Sequence, residues 1–275
     1  MVFNQTIELL KQFSYSRYMP LIFLNRQLTE FEIQSQRNVG GFMKGILVKR
    51  LESSFYAFKK SVGRFVNSYE DFIYMFGKGR VLISKNINVY DLMDEDDEEK
   101  IQKLIEEEKI QEFQSNDFAP EFEEALENDL KILKEIRKLW QPIDADPKLD
   151  KFISELETGG NLAGKKILVF TESLETGDYL FRNLKEKFGS QVLFFSSNGG
   201  LLEDQRLVKS EARRKITNNY DPRAREPEDD IKILISTDVL AEGVNLHRSF
   251  SVINYDLPWN PTKVLQRVWR VNRVG

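Results

Sequence analysis

Arg267, Arg270 and Arg273 recur at intervals of three in the stretch LQRVWRVNRVG, residues 265–275. At about 100° per residue, these arginines and Gln266 share one arc of a helix, and Val264, Leu265, Val268 and Val271 share the opposite arc. The pattern predicts a helix that packs its apolar arc on a sheet and presents the arginines outward. All three cations are arginine and none is lysine. A planar guanidinium fork suits phosphate oxygens, and an arginine that enters a phosphoryl-transfer site stabilises transition-state charge. The plain alternative is a solvated basic face.

Other chemistries find less support. His247 is the single histidine and there is no cysteine, so neither a zinc site nor a disulfide framework can be built. The stretch GGNLAGKK, residues 159–166, nearly matches a phosphate loop. It has lysine where the metal-binding hydroxyl belongs, and it follows a helix and opens a strand, the reverse of the order a phosphate loop needs. It reads as a connector. The acidic run DEDDEE, residues 94–99, contains a pair like the magnesium carboxylates of nucleotide hydrolases, but no phosphate loop precedes it. A solvated linker is the better reading. The chain thus lacks a triphosphate cradle and magnesium carboxylates of its own, and by itself should not hydrolyse a nucleotide efficiently.

The elements that must position the arginines lie in the second half. KKILVF, QVLFF, IKILIS and SVINYD read as short buried strands; residues 174–188, 201–217 and 261–274 read as helices. Such alternation predicts an α/β fold with a parallel sheet covered on both faces. Ligands gather at the carboxyl ends of strands in such sheets, here the segments at 171–173, 237–243 and 256–261. The first 150 residues read as mainly helical. Leu51, Phe55, Phe58, Val62, Phe65 and Val66 form one apolar stripe, and Leu126, Leu130, Leu133 and Ile136 another. Pro142 and Pro147 mark a boundary, giving a helical region over 1–145, with its acidic segment at 94–129, and an α/β domain over 146–275. The net charge of −4 conceals +6 over residues 1–92, −13 over 93–160 and +3 over 161–275. No apolar run approaches the roughly 18 residues of a membrane span, and a reducing, cytoplasmic location fits the absence of cysteine.

STDVLAEGVNLHRSFSVINYDLPWNP together with QRVWRVNRVG resembles the fifth and sixth motifs of superfamily 2 helicases, and most of all the Swi/Snf-type DNA translocases of bacteria. KILVFTESLETGDYLFRNL resembles the fourth motif, and LVKRLESSFYAFKKSV the helical insertion that precedes the second motor lobe. The resemblance implies a RecA-like second lobe of the P-loop NTPase type, cut after the sixth motif from a longer protein. ATP and Mg2+ would be held mainly by the first lobe of the same protein. It implies that Arg270 and Arg273 are fingers on the γ-phosphate, and that Gln266 and Arg267 couple the nucleotide cleft to nucleic acid. Gly243 and Asn245 would approach the nucleotide, with Glu242 bracing the turn. Thr171, Ser173 and Thr237 would lie near the DNA backbone, where hydroxyls and amides position rather than specify. Read without the resemblance, Asp238 suits a helix cap and Gly243 a left-handed turn. Trp269 stands where the family usually has glycine. It would crowd the other lobe, stack on a guanidinium or fold back onto the sheet.

The expected partners are DNA and the first lobe, with no membrane. Two rivals share the resemblance: the motor subunit of a restriction or phage-defence system, and a non-catalytic helicase-like scaffold, which Trp269 favours.

Overall fold

The computed structural model describes residues 2–84, 100, 110–237, 244–258 and 260–269. The chain forms two compact units, one of residues 1–51 and 58–145, the other of residues 52–57 and 146–275.

The first unit is built on helices α1 (Val2–Gln12), α2 (Glu30–Ser53), α3 (Phe55–Gly77) and α4 (Glu121–Trp140). The last residues of α2 and the first of α3 belong to the second unit. The apolar stripes read from the sequence are the buried faces: Phe58, Val62, Phe65 and Val66 on α3 and Leu126, Leu133 and Ile136 on α4 are inside. A short antiparallel pair, β1 (Arg80–Ser84) and β2 (Ile110–Gln114), joins them and interrupts the mainly helical region expected over 1–145. The acidic run at 94–99 lies outside the described residues. Asp129 is buried on α4, where four neutral donors reach it: Ser14 N at 2.7 Å, Ser16 N at 2.8 Å, Ser16 Oγ at 2.7 Å and Tyr69 Oη at 3.0 Å.

The second unit is a six-stranded sheet with helices on both faces. Its strands are β3 (Ile167–Phe170), β4 (Val192–Ser196), β5 (Gly199–Leu202), β6 (Gln205–Leu207), β7 (Ile233–Ser236) and β8 (Ser251–Asn254), in the order β6-β5-β4-β7-β3-β8. The pairs β4–β7, β7–β3 and β3–β8 are parallel, with Ile167 opposite Ile233 on one side and Ser251 on the other. Continuous apolar runs follow from burial on both faces. Ile167 and Val169 meet one core with Leu149, Phe152, Leu180 and Leu184; Leu168 and Phe170 meet the other with Ala212, Ile216 and Tyr220.

The helices of this unit are α5 (Pro147–Leu156), α6 (Leu174–Phe188), α7 (Lys209–Tyr220) and α8 (Pro261–Trp269). Pro147 starts α5 rather than merely ending a helix. Asp146 caps it, accepting from Lys148 N and Leu149 N at 3.1 and 3.2 Å.

The expected helix over 201–217 is corrected. Residues 199–207 form an antiparallel hairpin on the edge of the sheet, and helix begins only at Lys209. Gly199 makes the difference. Its φ is +102°, and a Cβ there would stand 2.5 Å from the Leu207 carbonyl oxygen. No described helix is long and apolar enough to cross a membrane.

Candidate functional site

The carboxyl ends of β3, β7 and β8 share one rim, and main-chain hydrogen bonds continue the ladder past them. Thr171 N donates to Ser236 O at 3.1 Å, and Tyr255 N to Phe170 O at 2.8 Å. Helix α8 rises from this rim. Its start is specified locally: Asn260 Oδ1 accepts from Thr262 N at 3.0 Å and from Thr262 Oγ1 at 2.6 Å, and Pro261 occupies the first helical position.

Arg267 is the buried residue of α8, with 0% of its surface exposed. Its Nη1 donates to Asn254 Oδ1 at 2.8 Å and its Nη2 to Glu172 Oε1 at 2.7 Å. The guanidinium carbon lies 4.9 Å from the centroid of the Phe170 ring. Buried charge is costly unless paired and hydrogen-bonded, and here one fork meets a carboxylate and an amide together. The helix is therefore tied by one side chain to the end of β8 and to the first loop beyond β3.

This reverses part of the expected helix wheel. Leu265, expected on the packed arc, is 53% exposed, whereas Arg267, expected on the outward arc, is inside. Val264 and Val268 are half-buried. On the wheel Arg267 lies about 60° from Val264 and Leu265 about 100° from it, so the guanidinium is the nearer to the valine line. Polar groups at the strand ends then decide which flank goes in. Trp269 is 65% exposed and does not fold back onto the sheet.

The loop after β3 carries two expected site residues, and both hydroxyls are engaged inside the unit. Thr171 Oγ1 donates to Asp256 Oδ2 at 2.7 Å. Ser173 caps α6: its Oγ accepts from Thr176 N at 3.3 Å and donates to Glu175 Oε2 at 3.0 Å. Thr237, at the end of β7, is buried, and its Oγ1 has no partner among the described residues. Asn245 is half-buried, with Nδ2 3.4 Å from Asp221 Oδ1 and its own oxygen without a partner among the described residues. Gln266 is exposed. Glu242, Gly243, Arg270 and Arg273 lie outside the described residues.

Three residues that organise the rim were not singled out from the sequence: Glu172, Asn254 and Asp256. Glu172 and Asn254 hold Arg267. Asp256 accepts from Thr171 Oγ1 and, at 2.7 Å, from Glu172 N. Their common signal is a polar side chain last in, or two residues beyond, an apolar strand. Such a group must be paired, because burial without a partner is costly. Among the described residues no group of three carboxylate or imidazole side chains could hold a metal ion.

Residues 147–275 match the family model described as helicase conserved C-terminal domain. The chain is similar to the uncharacterized ATP-dependent helicase YqhH of Bacillus subtilis, 34% identical over 40% of this chain and 17% of that protein. It is similar to the ATP-dependent RNA helicase uap56 of Schizosaccharomyces pombe, 31% identical over 42% of this chain and 23% of that one. Among solved structures, the helicase domain of Hef from Pyrococcus furiosus aligns with 98% of this chain and 50% of its own, at 15% identity and a TM-score of 0.47. The matched stretch is thus about a fifth of the length of these curated relatives. The stretch that matches the helicase conserved C-terminal domain is the one whose described residues form a sheet, parallel at its centre, with helices on both faces.

Proposed function

We propose that this chain is the second motor lobe of an ATP-dependent DNA helicase or translocase of the Swi/Snf type, with a helical insertion, working in the cytoplasm beside a first lobe of the same protein. The observation that carries this reading is the buried Arg267, which fastens α8 to the strand ends where ligands gather in α/β sheets. A helix so fastened can present the arginines that follow at a fixed height above the rim.

Arg270 and Arg273 act as fingers on the γ-phosphate of ATP held by the first lobe, neutralising charge as the phosphoryl group departs. Asn245, Gly243 and Glu242 form the turn that approaches the nucleotide. The Asn245 oxygen, buried and without a partner among the described residues, suits that role, because a buried polar atom calls for a donor. Magnesium, when bound, screens the phosphate charges; its ligands are assigned to the first lobe. Gln266, exposed on α8, and Arg267 link this cleft to the nucleic-acid track. Thr171 and Ser173 shape that track by fixing the loop after β3, since their hydroxyls already bond within the lobe. Thr237 contributes from the end of β7.

Several relatives are named as RNA helicases, which favours a second reading with RNA in place of DNA. Steady-state ATP hydrolysis by a protein carrying both lobes separates the two. Stimulation by duplex DNA and not by single-stranded RNA is the expected result. The opposite preference selects the RNA reading, and no stimulation by either sinks the motor.

A further inference from the structure

Residues 52–57 belong to the second unit although they join α2 to α3, and a set of directed hydrogen bonds fixes them there. Ser53 Oγ donates to Asp256 Oδ2 at 2.5 Å. With its one hydrogen committed, Ser53 must accept from Thr176, whose Oγ1 is 2.7 Å away. Thr176 then has no hydrogen left for Ser54, so Ser54 Oγ donates to it across 2.9 Å. Ser54 Oγ also accepts from Ala57 N at 3.1 Å, as the cap of α3. All four side chains are buried. The hydroxyls thus point one way, Ser54 to Thr176 to Ser53 to Asp256, an order in which each bond polarises the next.

Two further contacts hold the segment from the sides. Lys148 Nζ donates to the carbonyls of Glu52 and Ser53 at 2.8 and 2.9 Å, at the carboxyl end of α2, where a cation is favoured. The same ammonium sits 4.1 Å from the centroid of the Tyr255 ring. Tyr56 stacks on Tyr179 with centroids 5.1 Å apart and planes within 4° of parallel.

Asp256 is where this chain of hydroxyls meets the arginine helix. Its Oδ1 accepts from Glu172 N, and the side chain of Glu172 grips Arg267 at 2.7 Å. We propose that Ser53, Thr176, Asp256 and Glu172 are positioning residues for the arginine helix, so that the helix junction at 52–57 sets the placement of α8 through Arg267. A junction seated on Asp256 keeps the Glu172 loop in place and the helix docked. A junction withdrawn from it leaves a buried carboxylate short of one donor and frees the loop to shift. The catalytic consequence rests on the reading of the chain as a motor lobe; the structural link does not.

Amide hydrogen exchange on this chain tests the link without any assay of activity. Ser53→Ala is expected to speed exchange across 261–269 about tenfold, the effect of losing one hydrogen bond to a charged group, while 167–170 and 233–236 stay unchanged. Ser53→Thr keeps the hydroxyl and restores protection. If Ser53→Ala loosens the whole unit, Asp256→Asn, which removes the charge and keeps the shape, must loosen 261–269 selectively. The double variant Ser53→Ala with Arg267→Lys should exchange no faster than the quicker single variant, because both act on one path. Unchanged exchange at 261–269, additive effects, or no recovery with Ser53→Thr overturns the proposal. In a protein with both lobes, Ser53→Ala should lower kcat for ATP about ten- to a hundredfold and leave KM near its starting value, as misplacement of a transition-state group does. Altered exchange with unaltered kcat keeps the link and refutes its catalytic consequence. An inactive wild-type protein refutes the motor reading alone.

Discussion

Asp129 in the first unit and Arg267 in the second are both fully buried, and the two charges are handled differently. Asp129 in the first unit meets four neutral donors from the 14–16 segment and from α3. Burial outweighs those bonds and pushes its carboxyl above the ordinary value of 3.8. A raised carboxyl pKa means that the folded state binds the proton more tightly, so this group's contribution to stability falls as pH rises through that range. Asp129 therefore serves architecture, collecting donors that would otherwise be unpaired inside. Arg267 in the second unit is paired with a carboxylate and an amide from two different strand ends, and its helix leads away from the core. The first arrangement closes a fold. The second ties a helix to two strand ends.

Removing each charge should have the largest effects. Arg267→Met leaves Glu172 little exposed and without that partner, and should destabilise the second unit by about 3–5 kcal/mol. Asp129→Ala orphans donors rather than a charge, and should cost the first unit about 2–4 kcal/mol. Urea unfolding with site-resolved exchange checks both. Loss of stability in the wrong unit would contradict the division of the chain. Trp269→Gly should cost the fold less than about 1 kcal/mol, since the indole is largely exposed and only helix propensity is lost. A larger loss would mean that the indole packs against something the exposed surface does not reveal.

The smallest expected effect concerns pH. Lys166 and Lys232 hold the carboxyl of Asp229 down at about 2. Its folded value lies below the unfolded one, so its stabilisation is present above about pH 4 and lost as pH falls towards 2. The difference in urea midpoint between wild type and Asp229→Asn should shrink over that window. A constant difference would mean that the pairs contribute nothing, as many exposed ion pairs do.

The strands of the second unit were legible because ILVF and ILIS are buried on both faces and leave no ambiguity of period. The hairpin at 199–207 was not, because LLEDQRLVKSEARRKIT satisfies a helical reading and the deciding fact is backbone freedom at Gly199. The rim was legible as segments: TES and DLPWNP were marked as strand ends, yet the grip of Glu172 on Arg267 depends on a parallel pairing that only the folded sheet supplies. The side of α8 that faces inward was read wrongly for the same reason. A wheel counts apolar residues, whereas Asn254 and Glu172 offered a better match to a guanidinium than to a leucine.

In the proposed function, Arg267 holds a helix so that Arg270 can act on a phosphoryl group. The most direct measurement is single-turnover ATP hydrolysis by Arg270→Ala in a protein with both lobes and saturating nucleic acid. The account predicts a fall of about 10³-fold or more with ATP still bound. Hydrolysis at the wild-type rate would contradict it and leave the scaffold reading standing.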